Sequence, residues 1–102
     1  MHALLLLLLS VSQLLINPGA GTRLRPYNNT TKAVDIRVTG IGSDGNADID
    51  CFLYGRDGKF LESDTGSNDA CLLTLPARAP GRYTVILFNT GTSAGHYVVR
   101  AE

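Results

Sequence analysis

The sequence predicts an all-β fold, an antiparallel β-sandwich of about seven strands preceded by an apolar N-terminal leader. Three observations lead there. Asp48-Ile49-Asp50-Cys51-Phe52-Leu53-Tyr54 alternates as a half-buried strand does. Pro80-Gly81-Arg82-Tyr83-Thr84-Val85-Ile86-Leu87-Phe88-Asn89 alternates in the same way behind a turn signal. Around them, short alternating runs are separated by Gly, Asn, Asp and Pro clusters, and no helical period follows Gly21.

Taken in order, Thr22 to Tyr27 reads as a short edge strand or lead-in, and Asn28-Asn29-Thr30-Thr31 as a turn. Ala33 to Thr39 puts Val34, Ile36 and Val38 on one face and Asp35, Arg37 and Thr39 on the other. Gly40 to Ala47 is a loop. In the strand from Asp48 to Tyr54, Ile49, Cys51 and Leu53 share the core face. Arg56-Asp57-Gly58-Lys59 reads as a hairpin turn with Asp57-Gly58 at its centre, and Phe60 to Asp64 returns. Ala70 to Leu75 is a strand stopped by Pro76. Arg82 to Phe88 faces Tyr83, Val85 and Leu87 inward, and His96 to Arg100 closes the domain with Tyr97 and Val99 on one face.

The apolar run from Met1 to Ile16 is too short for a bilayer span of roughly 20 residues and ends at Asn17-Pro18-Gly19. It reads as a secretory leader over residues 1–21, with the folded domain at 22–102, although its start carries no Lys or Arg. Cleavage after Gly21 would place small residues at both required positions, so a new N-terminus is expected between Gly19 and Arg23. An uncleaved anchor is the alternative. Leu4 to Ile16 is expected to add nothing to the core, no stable membrane anchor is expected after cleavage, and the location is secreted or periplasmic. Lys plus Arg and Asp plus Glu number 9 each, so no excess of base points to nucleic acid or to an anionic membrane.

Cys51 and Cys71 are the only cysteines, and both fall on inward faces. In an exported chain they are expected to form a disulfide; two buried thiols are the alternative reading. Asp44, Asn46, Asp48 and Asp50 recur at every second residue, and oxygens so spaced are weak candidates for calcium. The EF-hand template fails, because Ile49 and Gly55 stand where Gly and Glu are needed; capped turns explain the spacing equally well. Asp64, Asn68 and Asp69 form a second oxygen-rich loop.

The order of five segments resembles the bacterial pre-peptidase C-terminal domain over about Lys32 to Arg100. These are Asp48-Ile49-Asp50-Cys51-Phe52, Arg56-Asp57-Gly58-Lys59, Ser63-Asp64, Ala79-Pro80-Gly81-Arg82-Tyr83 and Gly95-His96-Tyr97-Val98-Val99. The resemblance implies a jelly-roll-like sandwich. Such domains accompany secreted proteases and other exoenzymes, often C-terminally and often removed on maturation. Some bind a polymeric substrate and some bind calcium. In this chain a leader-like segment abuts the module and no catalytic domain precedes it. Two functions are therefore expected. One is a secreted, non-catalytic module that binds an extracellular protein or polysaccharide. The other is a structural or folding-assistance module separated from an exoenzyme such as a peptidase.

Other residues are weighed the same way. His96 could join Ser93 or Ser63 in a hydrolytic triad, but no nucleophile motif flanks either serine, and an exposed strand histidine is the simpler reading. Two cysteines and one histidine do not complete a zinc site. Acid pairs of the kind that hydrolyse glycosides arise by chance among nine acids. Phe52, Tyr54 and Phe88 fall on outward faces, where aromatic rings either stack on a ligand or fill a small second core. The sequons within Asn28-Asn29-Thr30-Thr31 are expected to stay bare in a bacterial protein.

Overall fold

The computed structural model describes residues 11–28, 30–41, 46–66, 69–77 and 81–101. Among them ten strands form: β1 (Val11–Ile16), β2 (Gly21–Leu24), β3 (Tyr27–Asn28), β4 (Val34–Ile41), β5 (Ile49–Tyr54), β6 (Phe60–Asp64), β7 (Ala70–Leu75), β8 (Gly81–Arg82), β9 (Thr84–Asn89) and β10 (Gly95–Ala101). One sheet runs β1-β10-β4-β7, the other β2-β9-β5-β6, and β3 and β8 make a two-stranded ribbon. Every pairing is antiparallel.

The pairing is nested. β5 pairs with β6, β4 with β7, β2 with β9 and β1 with β10, as if one long hairpin had been wound into two layers. That is a jelly-roll path of eight main strands. Sequence periodicity gives seven of them. The eighth, β1, lies in the segment read as leader. Its Leu run has no period of two, and its strand state comes from pairing with β10, more than eighty residues later in the chain. Leu14 packs against the core and Ile16 is buried in it, so the expectation of no contribution fails for these two residues. Met1 to Ser10 lie outside the described residues.

The core is the space between the sheets. Val34, Ile36 and Val38 from β4 meet Ile49 and Leu53 from β5, together with Tyr83, Val85 and Leu87, and all eight are buried. Cys71, Leu73 and Leu75 of β7 and Tyr97 and Val99 of β10 complete the layer. A register slip by one residue would expose each set, so alternation fixes the pairing. Cys51 and Cys71 are bonded, with Cα atoms 6.3 Å apart. β5 and β7 belong to different sheets, so the bond crosses the core and clamps the layers together.

Local chemistry sets the turns. Asn17-Pro18-Gly19-Ala20 closes on Ala20 N–H donating to the Asn17 carbonyl at 3.0 Å. Pro in the second place and Gly19 in the third, with φ of 76°, are what a type II turn requires. The β5–β6 turn differs from expectation. Gly58 N–H donates to the Gly55 carbonyl, so Arg56 and Asp57 are central and Gly58, with φ of 84°, follows them. This is a turn with a glycine bulge, tied by Lys59 N–H to Asp57 Oδ1 at 3.0 Å.

The free edge of β7 is closed from the other sheet. Leu72 N–H donates to Asp64 Oδ2 at 2.9 Å and Thr74 N–H to Glu62 Oε1 at 3.1 Å. Two carboxylates of β6 therefore occupy amides that would otherwise be available to another strand.

Candidate binding surface

The outer face of the β2-β9-β5-β6 sheet carries the largest group of outward rings. Cross-strand register sets the rows. Gly21 lies beside Phe88 and Phe88 beside Asp50; Arg23, Ile86, Phe52 and Ser63 form the next row; Thr84, Tyr54 and Phe60 form the third. Phe60 is 52% exposed and Phe88 36%, while Phe52, Tyr54 and Ile86 are half-buried. Tyr54 and Phe60 meet edge to face with ring centroids 5.8 Å apart, a favourable aromatic geometry. A Cβ on Gly21 would come within 3.1 Å of Phe88 Cδ1, so the glycine leaves room for that ring. Arg23, Asp50 and Ser63 supply polar groups on the same face.

Phe52, Tyr54 and Phe88 thus sit where alternation places them. Phe60 and Ile86 belong to the same face and lie outside the set that sequence alone marks as candidates. The hairpin register could have found Phe60, since it is the direct partner of Tyr54.

The calcium candidates do not assemble into a donor set among the described residues. Asp44 lies outside them. Asn46 is exposed, and its carbonyl accepts from Thr92 N–H. Asp50 lies on the outer face beside Phe88. Asp48 Oδ1 is buried with no hydrogen-bond partner, a single orphaned oxygen where calcium needs six to eight. No three His, Cys, Asp or Glu side chains among the described residues form a group able to hold a metal ion. Burial, followed by the Asp48 and Asp64 charges, raises the Asp50 carboxyl above its ordinary range.

Beside this acidic end lies Tyr97, fully buried, with its hydroxyl donating to Asp69 Oδ1 at 2.7 Å. Burial first, then that bond and the Asp69 and Asp48 charges, pushes the phenol well above its ordinary range. Gly40 is its cross-strand partner. A Cβ on Gly40 would press within 2.8 Å of Asp69 Cγ, so a glycine here makes space for the pair.

The remaining candidates separate. His96 is exposed on the outer face of the other sheet, between Leu15 and Ile41, whereas Ser63 is on the aromatic face. His96 and Ser63 therefore lie on different sheets and do not come together; Ser93 lies in the β9–β10 turn, where its carbonyl accepts from Asn89 Nδ2 at 2.9 Å. The Asn28 sequon is structural: its amide is fully buried, donates to the Lys32 carbonyl and accepts from Thr30 N–H at 2.9 Å and Thr30 Oγ1 at 2.8 Å. Asn29 and Asn68 lie outside the described residues. An open depression of about 420 Å³ at the β5–β6 turn is lined by Gly55, Arg56, Asp57, Leu61, Pro76 and Tyr83. Across the ribbon, Arg82 stacks on the Tyr27 ring with Cζ 5.6 Å from its centroid.

No protein-family model matches this chain, and no curated protein matches it either.

Proposed function

We propose that the chain is a secreted, non-catalytic module of the pre-peptidase C-terminal kind that binds an extracellular protein or polysaccharide. The binding surface is the outer face of β2-β9-β5-β6. The supporting observation is the continuous run of Phe88, Ile86, Phe52, Tyr54 and Phe60 on one solvent-facing sheet. Aromatic rings held on a rigid sheet give flat apolar area at little entropic cost, and they suit sugar faces and apolar polymer side chains alike. The cross-sheet disulfide is consistent with an oxidising compartment, which agrees with export to the periplasm or the medium.

The test is retention of the full chain on insoluble cellulose, chitin and fibrous protein, with and without Ca²⁺. Wild type should be retained on at least one polymer, and Phe52→Ala should reduce retention several-fold. If no polymer retains the wild type, the binding reading fails and the structural, folding-assistance role takes its place. Dependence on Ca²⁺ would show that a cation takes part in retention.

A further inference from the structure

We propose that the aromatic face also closes on a second copy of the chain, in a weak two-fold dimer that covers the same rings a ligand would meet. The observation is where the polar groups stand relative to the rings, and strand register gives it. Phe88 on β9, Ile86 and Phe52 in the next row, and Tyr54 and Phe60 in the third form a diagonal ridge across the sheet. Arg23 on β2 lies to one side of the ridge and Asp50 on β5 to the other. With strands about 4.8 Å apart and alternate residues about 6.7 Å apart along a strand, their Cα atoms are roughly 12 Å apart, each about 6 Å from the ridge. Farther along, Thr84 lies on the Arg23 side and Ser63 on the Asp50 side.

That layout is self-complementary. A two-fold axis laid along the ridge, between two copies packed face to face, brings each ridge residue to its own counterpart. The same rotation sets Arg23 of one copy against Asp50 of the other, and Thr84 against Ser63. The ion pairs stand at the rim and fix the register, while the rings supply the apolar centre. Burial, and then the Asp48 and Asp64 charges, hold the Asp50 carboxyl above its ordinary range; a guanidinium from across the axis offsets that crowding of acids. The outer face of the other sheet is arranged differently. Arg37 and Arg100 are direct cross-strand partners there, so like charges already stand side by side within one copy.

The patch is about 20 Å by 20 Å, so about 400 Å² of each copy and about 800 Å² in total would be covered. Stable interfaces bury more, and this area suits a transient dimer that forms only in concentrated protein. Dilute protein then presents its rings to a ligand, and concentrated protein hides them, so self-association and ligand compete for one face. The dimer rests on the reading of this face as the contact surface; ligand retention does not enter its test.

Sedimentation equilibrium of the full chain, without polymer, from about 5 µM to about 1 mM tests it. Wild type should pass from monomer toward dimer across that range. Arg23→Asp and Asp50→Arg should each raise the dissociation constant at least about ten-fold, and the double variant should return to within about three-fold of wild type. Arg37→Asp makes the same charge change on the opposite face and should leave the constant unchanged, so its comparison with Arg23→Asp decides the matter even if Asp50→Arg does not fold. A wild type that stays monomeric at about 1 mM overturns the proposal. So does a double variant that folds but dimerises no better than the single variants, or an Arg37→Asp that loses as much as Arg23→Asp. Polymer retention measured at about 1 µM, where the chain is monomeric, tests the binding reading by itself. Retention without a dimer defeats only the dimer, and a dimer without retention defeats only the polymer ligand.

Discussion

At Asn89 one buried amide joins three parts of the chain. Its Oδ1 accepts from Asp48 N–H and Gly91 N–H, and its Nδ2 donates to the Ile16 and Ser93 carbonyls. Every bonding position of the side chain is used, and the partners come from β1, the start of β5 and the β9–β10 turn. Asn89→Ala should therefore cost about 3 kcal/mol in denaturant unfolding, several times the effect of an exposed Asn→Ala. Tyr97→Phe keeps the packing but removes the hydroxyl from Asp69, and about 1–2 kcal/mol should be lost. Asp50 acts in the opposite sense. Its carboxyl is raised by burial and by Asp48 and Asp64, so the folded state holds the proton more tightly than the unfolded chain. Its favourable contribution is present below the unfolded pKa and is lost as pH rises through the folded value. Asp50→Asn should melt above wild type at pH 7, with the gap closing at pH 3; calorimetry at the two values checks the sign. None of these roles is legible in the sequence alone. Asn89 reads there as the first residue of a turn, and its four partners lie up to 73 residues away.

At the scale of elements, alternation carried most of the information. Where a strand has one buried face, as in β4, β5, β7, β9 and β10, the period of two names the inward residues directly. It failed where a strand is defined by its partner. β1 is mostly Leu, Val and Ile, and β3 and β8 are two residues each and exist only as a pair. Pro18-Gly19 is a turn signal, and its place next to an apolar run makes it read as the end of a leader. Edge protection was also invisible, because Glu62 and Asp64 read as ordinary polar positions of a hairpin. Their bonds to Thr74 and Leu72 amides close the β7 edge. Glu62→Ala and Asp64→Ala should each destabilise by about 1–2 kcal/mol. Hydrogen exchange at Leu72 should accelerate in the Asp64 variant and at Thr74 in the Glu62 variant, and unchanged exchange at both would remove the capping role.

For the whole molecule, two layers joined by one covalent clamp hold a single aromatic face. Closing the 20-residue separation between Cys51 and Cys71 is worth around 3 kcal/mol in the chain-entropy account. Reductant should lower the wild-type melting temperature by at least about 10 °C, and Cys51→Ser should start low and respond no further. The cysteine pairing was legible because two inward positions on different strands left one simple partner for each. The surface was legible only in part: outward alternation identified Phe52, Tyr54 and Phe88, while Phe60 entered through hairpin register. Its role as the contact surface is the central claim, and matched substitutions on the two outer faces test it most directly. Phe60 lies on the aromatic face at 52% exposure, and Leu72 lies on the opposite sheet at 39%. Both side chains are exposed, and a melting curve of each Ala variant checks that the fold is kept, Phe60→Ala losing only its edge-to-face contact with Tyr54. On whichever polymer retains the wild type, Phe60→Ala should weaken retention several-fold while Leu72→Ala leaves it unchanged; equal retention of the two variants, or selective loss in Leu72→Ala, would contradict the account.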